Sequence, residues 1–397
     1  MAQRSVAFGI LVAAFLAALP AAPALARATK FASSSSASAS TEHRHAAELR
    51  RLDRALTELH AKRDGPPGIA VVVQRGRRLT LRSAGVADVR SDAPLGGEDH
   101  MRLASVSKAF SGAAALSLVA RHRLSLDDTL GKWLPTAPPS WSAITLAELL
   151  HHTSGIPDFG PTPAFQEALR RSLLSAPPPA QLYSYVAGEG PTFTPGTQYH
   201  YSNTDNVLVG LMIEAATGHS YESELQTLVF APLGLTRTTL PRGAAMPTPL
   251  IHGYQVAPPE PAEDVSELFA AGWSWAAGGI VSTPLETNTF VRAYVRGALT
   301  DSATHAAQFS FVPGNSEPPG PGTNSAGLAL FRYRTPCGTV FGHTGNTPGY
   351  TQFMAATADG SRSVVVSVNA QITPRESPAR FDELRRIYGL AVCAALT

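Results

Sequence analysis

The stretch "SKAFSGAAALSLVARH", Ser107 to His122, restricts the fold more than any other. It is helical in composition and apolar on most sides rather than along one stripe. That predicts a helix buried between layers, not one lying on a surface. Such a helix needs material around it, and the chain supplies it: 397 residues, 44% hydrophobic and 16% charged. This length suits two or three domains or one large discontinuous unit with a sizeable core. The formal charge of +2 lacks the basic excess that a nucleic-acid partner calls for, so none is expected.

The ends of the chain read differently from its middle. Leu49, Leu52, Leu56 and Leu59 recur at helical spacing among charges, and the helix they predict stops near Gly65-Pro66-Pro67. "GIAVVVQRGRRLTLRSAGVAD" reads as two strands about a turn at Arg75-Gly76. Towards the other end, "GTVFGHTG" reads as a strand and "FMAATADGSRSVVVSVNA" as a hairpin about Asp359-Gly360. A last helix follows, with Ser377 as cap, Pro378 at its first position and an apolar face of Phe381, Leu384, Ile387 and Ala391. The middle is helical. One helix opens on the capping box Thr145-Leu146-Ala147-Glu148 and stops near Gly155. A second spans Asn203–Thr217 with Gly218 as its stop, and a third runs from about Ser220 to Phe230. The expectation is an α/β plus all-α protein: an antiparallel sheet flanked by helices, built from 44–124 and 266–397, with an all-helical domain of 125–265 inserted between.

Arg4, the apolar run Val6–Leu19 and the small residues Ala24-Leu25-Ala26 read as a secretory signal over 1–26, cut after Ala26. "FASSSSASAS" reads as a flexible linker within 27–43. A secreted, extracellular protein without a membrane anchor in its mature chain is expected. In an oxidising compartment Cys337 and Cys393 read as a disulfide, worth at most about 4 kcal/mol; two separate thiols are the alternative.

Three short motifs carry the chemistry. Ser105 stands three residues before Lys108, where a helix begins, so the two share a face. A desolvated lysine amine can lose its proton and then accept one from the serine hydroxyl, which makes the serine nucleophilic. Backbone N–H groups at a helix start can also hold a developing oxyanion. Alone, the motif could equally be a helix cap and a surface lysine. Tyr201-Ser202-Asn203 stands where a loop enters a helix, with a hydroxyl for acid–base work and an amide for a substrate carbonyl. His343-Thr344-Gly345 ends a predicted strand, with a hydroxyl for a carboxylate and a glycine that lets substrate backbone approach. Adjacent His151 and His152 point different ways on a helix, and no His-Glu-x-x-His occurs, so no metal and no cofactor are expected. There is no Gly-x-Ser-x-Gly elbow. Trp273 and Trp275 fit a pocket wall or the core equally well.

In this order and spacing, the motifs resemble those of the serine penicillin-recognising enzymes: Ser-x-x-Lys, Tyr-x-Asn and Lys/His-Thr-Gly. The Tyr-x-Asn form resembles class C β-lactamases and secreted serine D-Ala-D-Ala carboxypeptidases. "LLHHTSGIPDF", "FTPGTQYHYSNTDNVLVGLMIEAATGHSY" and "FGHTGNTPGYTQFMAATADGSRSVVVSVN" resemble stretches of the same family. The resemblance implies a β-lactamase/transpeptidase-like fold with its site between the sheet and the helical domain. It implies Ser105 as the acylated nucleophile, Lys108 and Tyr201 sharing acid–base work, and Asn203 on the acyl-side amide. Thr344 would hold the substrate carboxylate beside His343 and Gly345, and the backbone N–H groups of Ser105 and Asn346 would form the oxyanion hole.

Histidine in place of lysine at position 343 is only partly charged near neutral pH. A terminal carboxylate would then need another cation, and Arg332 or Arg334 is the candidate. The activity implied is a monomeric secreted D-Ala-D-Ala carboxypeptidase, acting on peptidoglycan stem peptides and acylated by β-lactam antibiotics. A β-lactamase, a D-aminopeptidase and an esterase are rivals on the same scaffold, and a non-catalytic penicillin- or peptide-binding protein is a rival of another class.

Overall fold

The computed structural model describes residues 26–397, with side chains from 42 onward. The described residues up to His43 belong to one unit and are helical, and Arg44–Thr397 form the other. The signal segment lies, but for Ala26, outside the described residues. The linker expected over 27–43 is helical, as the first part of α1 (Ala26–His60). Alanine and serine dominate it, and no glycine or proline interrupts the chain between Pro23 and Gly65.

Among the described residues the large sheet has nine strands, all paired antiparallel. In chain order they are β1 (Gly68–Arg75), β2 (Arg78–Asp88), β3 (Ala93–Pro94), β4 (Val312–Pro313), β5 (Thr323–Ala326), β6 (Phe331–Thr335), β7 (Gly338–Thr347), β8 (Tyr350–Ala356) and β9 (Arg362–Val368). Their order across the sheet is β3-β2-β1-β9-β8-β7-β6-β5-β4. The strands from the two ends of the chain therefore meet where β1 pairs with β9, Ile69 opposite Val368 and Val73 opposite Val364.

The sequence of β1 explains its central place. Ile69, Val71 and Val73 face a core built with Leu52, Leu56 and Leu59 of α1 and with Phe381, Leu384 and Ile387 of the C-terminal helix. Ala70 and Val72 face the other way, into the core of the helical layers. A strand buried on both faces reads as an unbroken apolar run, not an alternation.

The remaining helices used here are α2 (Ser107–Ala120), α3 (Leu146–His151), α4 (Asn203–Thr217), α5 (Pro284–Val295) and α6 (Pro378–Leu396). Every residue of α2 from Ser107 to Leu118 is buried, as an all-round apolar helix demands. Phe110 of α2 stacks on Phe290 of α5, which itself lies against the sheet. The capping box at Thr145 forms, and α4 stops at Gly218 in the left-handed conformation.

The segment 125–265 supplies helices and a short ribbon, Tyr254–Gln255 with Glu263–Asp264, but no strand of the large sheet. Ser377 precedes α6 without capping it, and its hydroxyl accepts from Arg380 instead. Cys337, in the β6–β7 turn, is disulfide-bonded to Cys393 of α6, 56 residues away. Among the described residues no helix is long and apolar enough to cross a membrane.

Candidate active site

The site forms where the turn ahead of α2, the start of α4, the segment 274–278 and the end of β7 converge. Met101 and Arg102 pair with Ser282 and Val281, and Ser107 Oγ accepts the Ile280 N–H at 3.0 Å. These bonds lock the Ser105 turn to the chain that carries Ala277. Ala104 holds a left-handed φ of 50° although it has a side chain, a strain of about 1–3 kcal/mol. It sets Ser105 into a single turn of 3-10 helix (Ala104–Val106) that runs into α2.

Lys108 is fully buried and donates from Nζ to three oxygens: Asn203 Oδ1 at 2.7 Å, Ala277 O at 2.8 Å and Ser105 Oγ at 3.1 Å. Burial lowers its pKa from 10.5 to about 7, against the pull of Asp158 and Glu317. Two of its partners are pure acceptors. When the amine loses a proton, its two remaining hydrogens stay with Asn203 and Ala277, and its lone pair is left facing the Ser105 hydroxyl. The geometry thus builds a base aimed at one serine.

Tyr201 lies in the loop before α4, with its ring centroid 4.9 Å from Lys108 Nζ. Its hydroxyl lies beside Ser105 without a well-aligned hydrogen bond, and burial holds its pKa well above 10, so it is a proton donor at rest. Asn203 is engaged at both ends of its amide: Oδ1 by Lys108, and Nδ2 donating to Asp158 Oδ2 at 3.0 Å.

The third motif divides. His343 is buried, its ring edge-on to Phe331, and burial lowers its pKa from 6.5 to about 3, so it is neutral and supplies no charge. Thr344 pairs with Phe353 across β8 and shares its face of the sheet, the one covered by α1 and α6. Its hydroxyl is spent on the Pro318 carbonyl at 2.5 Å and does not line the cleft. Gly345 faces the other way, onto the backbone of Leu103 and Ser105. It admits the backbone of the Ser105 turn, where the sequence suggested substrate.

Asn346 and Ser105 both line the cleft. Arg332 and Arg334 do not. They pair with Phe341 and Thr339, several residues down β7, and Arg332 stacks over Phe311 with Nε on Ser325.

The cleft holds about 260 Å³, at the small end for a ligand site. Phe159, Phe165 and Trp273 give it an apolar wall, while Trp275 is fully buried and belongs to the core. Glu317 lines it, with its pKa raised by burial and by Asp158. The sequence reading missed Asp158 and Glu317: both sit in irregular loops, and no spacing rule ties either to a motif. Among the described residues no group of three or more His, Cys, Asp or Glu could hold a metal ion.

The Beta-lactamase family model matches residues 52–388. Penicillin-binding protein 4* of Bacillus subtilis is 24% identical over 320 residues, 77% of this chain and 68% of that protein. Esterase EstB of Burkholderia gladioli is 32% identical over 213 residues, 47% of this chain and half of the esterase. Among solved structures, a D-stereospecific amidohydrolase from Streptomyces sp. is 32% identical with a TM-score of 0.72, covering 81% of this chain and 94% of that one. The chain belongs to the beta-lactamase family and is a serine hydrolase of the β-lactamase/transpeptidase-like fold.

Proposed function

We propose that the chain is a D-stereospecific amidohydrolase acting through an acyl-enzyme on Ser105, with small D-aminoacyl amides or peptides as substrates. The observation that carries the reading is the Lys108 amine: buried, titrating near 7, and able on deprotonation to face only Ser105. Ser105 Oγ attacks the amide carbon as its proton passes to Lys108 Nζ. The N–H groups of Ser105 and Asn346 receive the oxyanion, and the amine leaves with a proton delivered by way of Tyr201. Water then cleaves the ester and restores the serine. Penicillins would acylate the same oxygen.

The substrate class follows from charge. The cleft lining contains Glu317 and no arginine, Asp158 lies behind Asn203, and His343 is neutral. This favours a substrate that presents a free amine over one recognised by a terminal carboxylate. The name of the Streptomyces relative supports the same class. Secretion, from the signal-like start of the sequence, would place the enzyme beside peptidoglycan and its D-amino acids.

The test compares D-phenylalaninamide with N-acetyl-D-Ala-D-Ala. Faster release of ammonia from the amide is expected, and the L-isomer should be inert. Preference for the acetylated dipeptide would favour the D-Ala-D-Ala carboxypeptidase instead. Turnover that survives Ser105→Ala would remove the acyl-enzyme.

A further inference from the structure

We propose that His152 and Asp205 form a neutral hydrogen-bonded pair that positions Tyr201 and Asn203 and keeps negative charge away from beneath Lys108. The proposal rests on reading Ser105 and Lys108 as nucleophile and base.

His152 ends α3 with a left-handed φ of 58°, a conformation that non-glycine residues rarely adopt. That turn sends its ring inward, against the ring of Tyr201 at 4.5 Å. Its backbone oxygen accepts the His200 N–H at 2.9 Å. Asp205, in the first turn of α4, lies with Oδ2 3.0 Å from His152 Nδ1 and accepts the Ser154 hydroxyl on Oδ1 at 2.5 Å. The pair therefore joins the loop after α3, the Tyr201 loop and the helix start that carries Asn203.

The position of the proton follows from the donors. His152 Nδ1 also faces the Ser202 N–H at 3.4 Å, and a backbone N–H can only donate. With that N–H aimed at it, we assign Nδ1 as the acceptor, which places the proton between Nδ1 and Oδ2 on Asp205. The surroundings agree: both side chains are buried, and among the described residues no lysine or arginine contacts the carboxyl. Burial pushes Asp205 well up and His152 well down. The titratable groups around them are Lys108, Asp158, His151, His200, His343, Tyr199 and Tyr201. An ionised Asp205 would raise the Lys108 pKa and weaken the base at neutral pH.

Asp205→Asn mimics the protonated acid, with an N–H for Nδ1 and a carbonyl for Ser154, whereas Asp205→Ala removes both. The substrate is an activated p-nitrophenyl ester, whose turnover needs Ser105 and its base but no particular acyl group. Asp205→Ala should lower kcat by about tenfold or more with little change in KM, because Tyr201 is misplaced. Asp205→Asn should recover kcat to within about fivefold of the parent and leave the acidic limb of the pH profile where it was.

An Asn variant as impaired as the Ala variant, in folding or in kcat, overturns the proposal, as does a limb moved to lower pH. The nitrogen-15 spectrum of His152 reads the pair without turnover: an unprotonated Nδ1 at neutral pH is expected, and a protonated one overturns it. Failure of the underlying reading looks different: Ser105→Ala would still turn over the ester, or the parent would show no acidic limb.

Discussion

Gly345 presses against the backbone of Ser105. A methyl group on its Cα would lie 2.8 Å from the Ser105 nitrogen and 2.7 Å from the Leu103 carbonyl oxygen. Both are backbone atoms on a turn held by β-pairing and by Ser107, so neither can rotate aside. Gly345→Ala should push the Ser105 turn away from Lys108. The expected result is a loss of about 10²-fold in the acylation rate with a stability cost of about 1–3 kcal/mol. Rapid-mixing measurement of the acylation burst checks this. A burst within twofold of the parent would mean the turn absorbs the methyl group.

His343 sits one residue before Thr344 yet plays no charged part. Its pKa near 3 means that no activity change around pH 6.5 belongs to it. His343→Lys would bring a cation near Lys108, and like charges disfavour each other's charged forms. The acidic limb of kcat/KM should therefore move down by about half to one pH unit, while His343→Asn leaves it in place. Profiles of the three proteins on one ester decide it. A gain confined to alkaline pH in the Lys variant would instead restore a charge role for position 343.

What the sequence shows about this protein is local. The Ser105–Lys108 spacing, the Thr145 box, the Asn203–Thr217 helix with its glycine stop and the buried character of α2 all depend on residues within a few turns of one another. Orientation on a strand is different. β7 is buried on both faces, so its pattern does not say whether Thr344 or Gly345 looks into the cleft; the pairing with Phe353 decides. Arg332 looked close to His343 in the chain but lies down the ladder, opposite Phe341. Asp158 reaches Asn203 only because two loops fold together at the head of α4. The Cys337–Cys393 bond was legible from the even cysteine count and the expected oxidising compartment, without geometry.

Lys108 links activity to stability through one proton. Its pKa is about 7 in the folded protein and about 10.4 in an unfolded chain. Between those values the unfolded state binds more protons, so stability rises with pH across the window. Below about pH 7 the folded protein carries the full penalty of a buried cation, on the order of 3–5 kcal/mol; towards pH 10 the penalty disappears. Lys108→Met removes the titration but leaves Asn203 Oδ1 and the Ala277 carbonyl without their donor, which offsets part of the gain. The pH dependence is therefore the informative quantity. The stability of the Met variant relative to the parent should be highest near pH 6 and fall by a few kcal/mol as pH rises to 10. Activity of the parent should meanwhile drop about tenfold per unit below pH 7, as the amine takes up the proton it must accept from Ser105. Urea denaturation of both proteins at pH 6, 8 and 10, beside the parent's kcat/KM profile, measures the two together. A stability difference that stays flat with pH would mean that Lys108 keeps its proton in the folded state and that another group activates the serine.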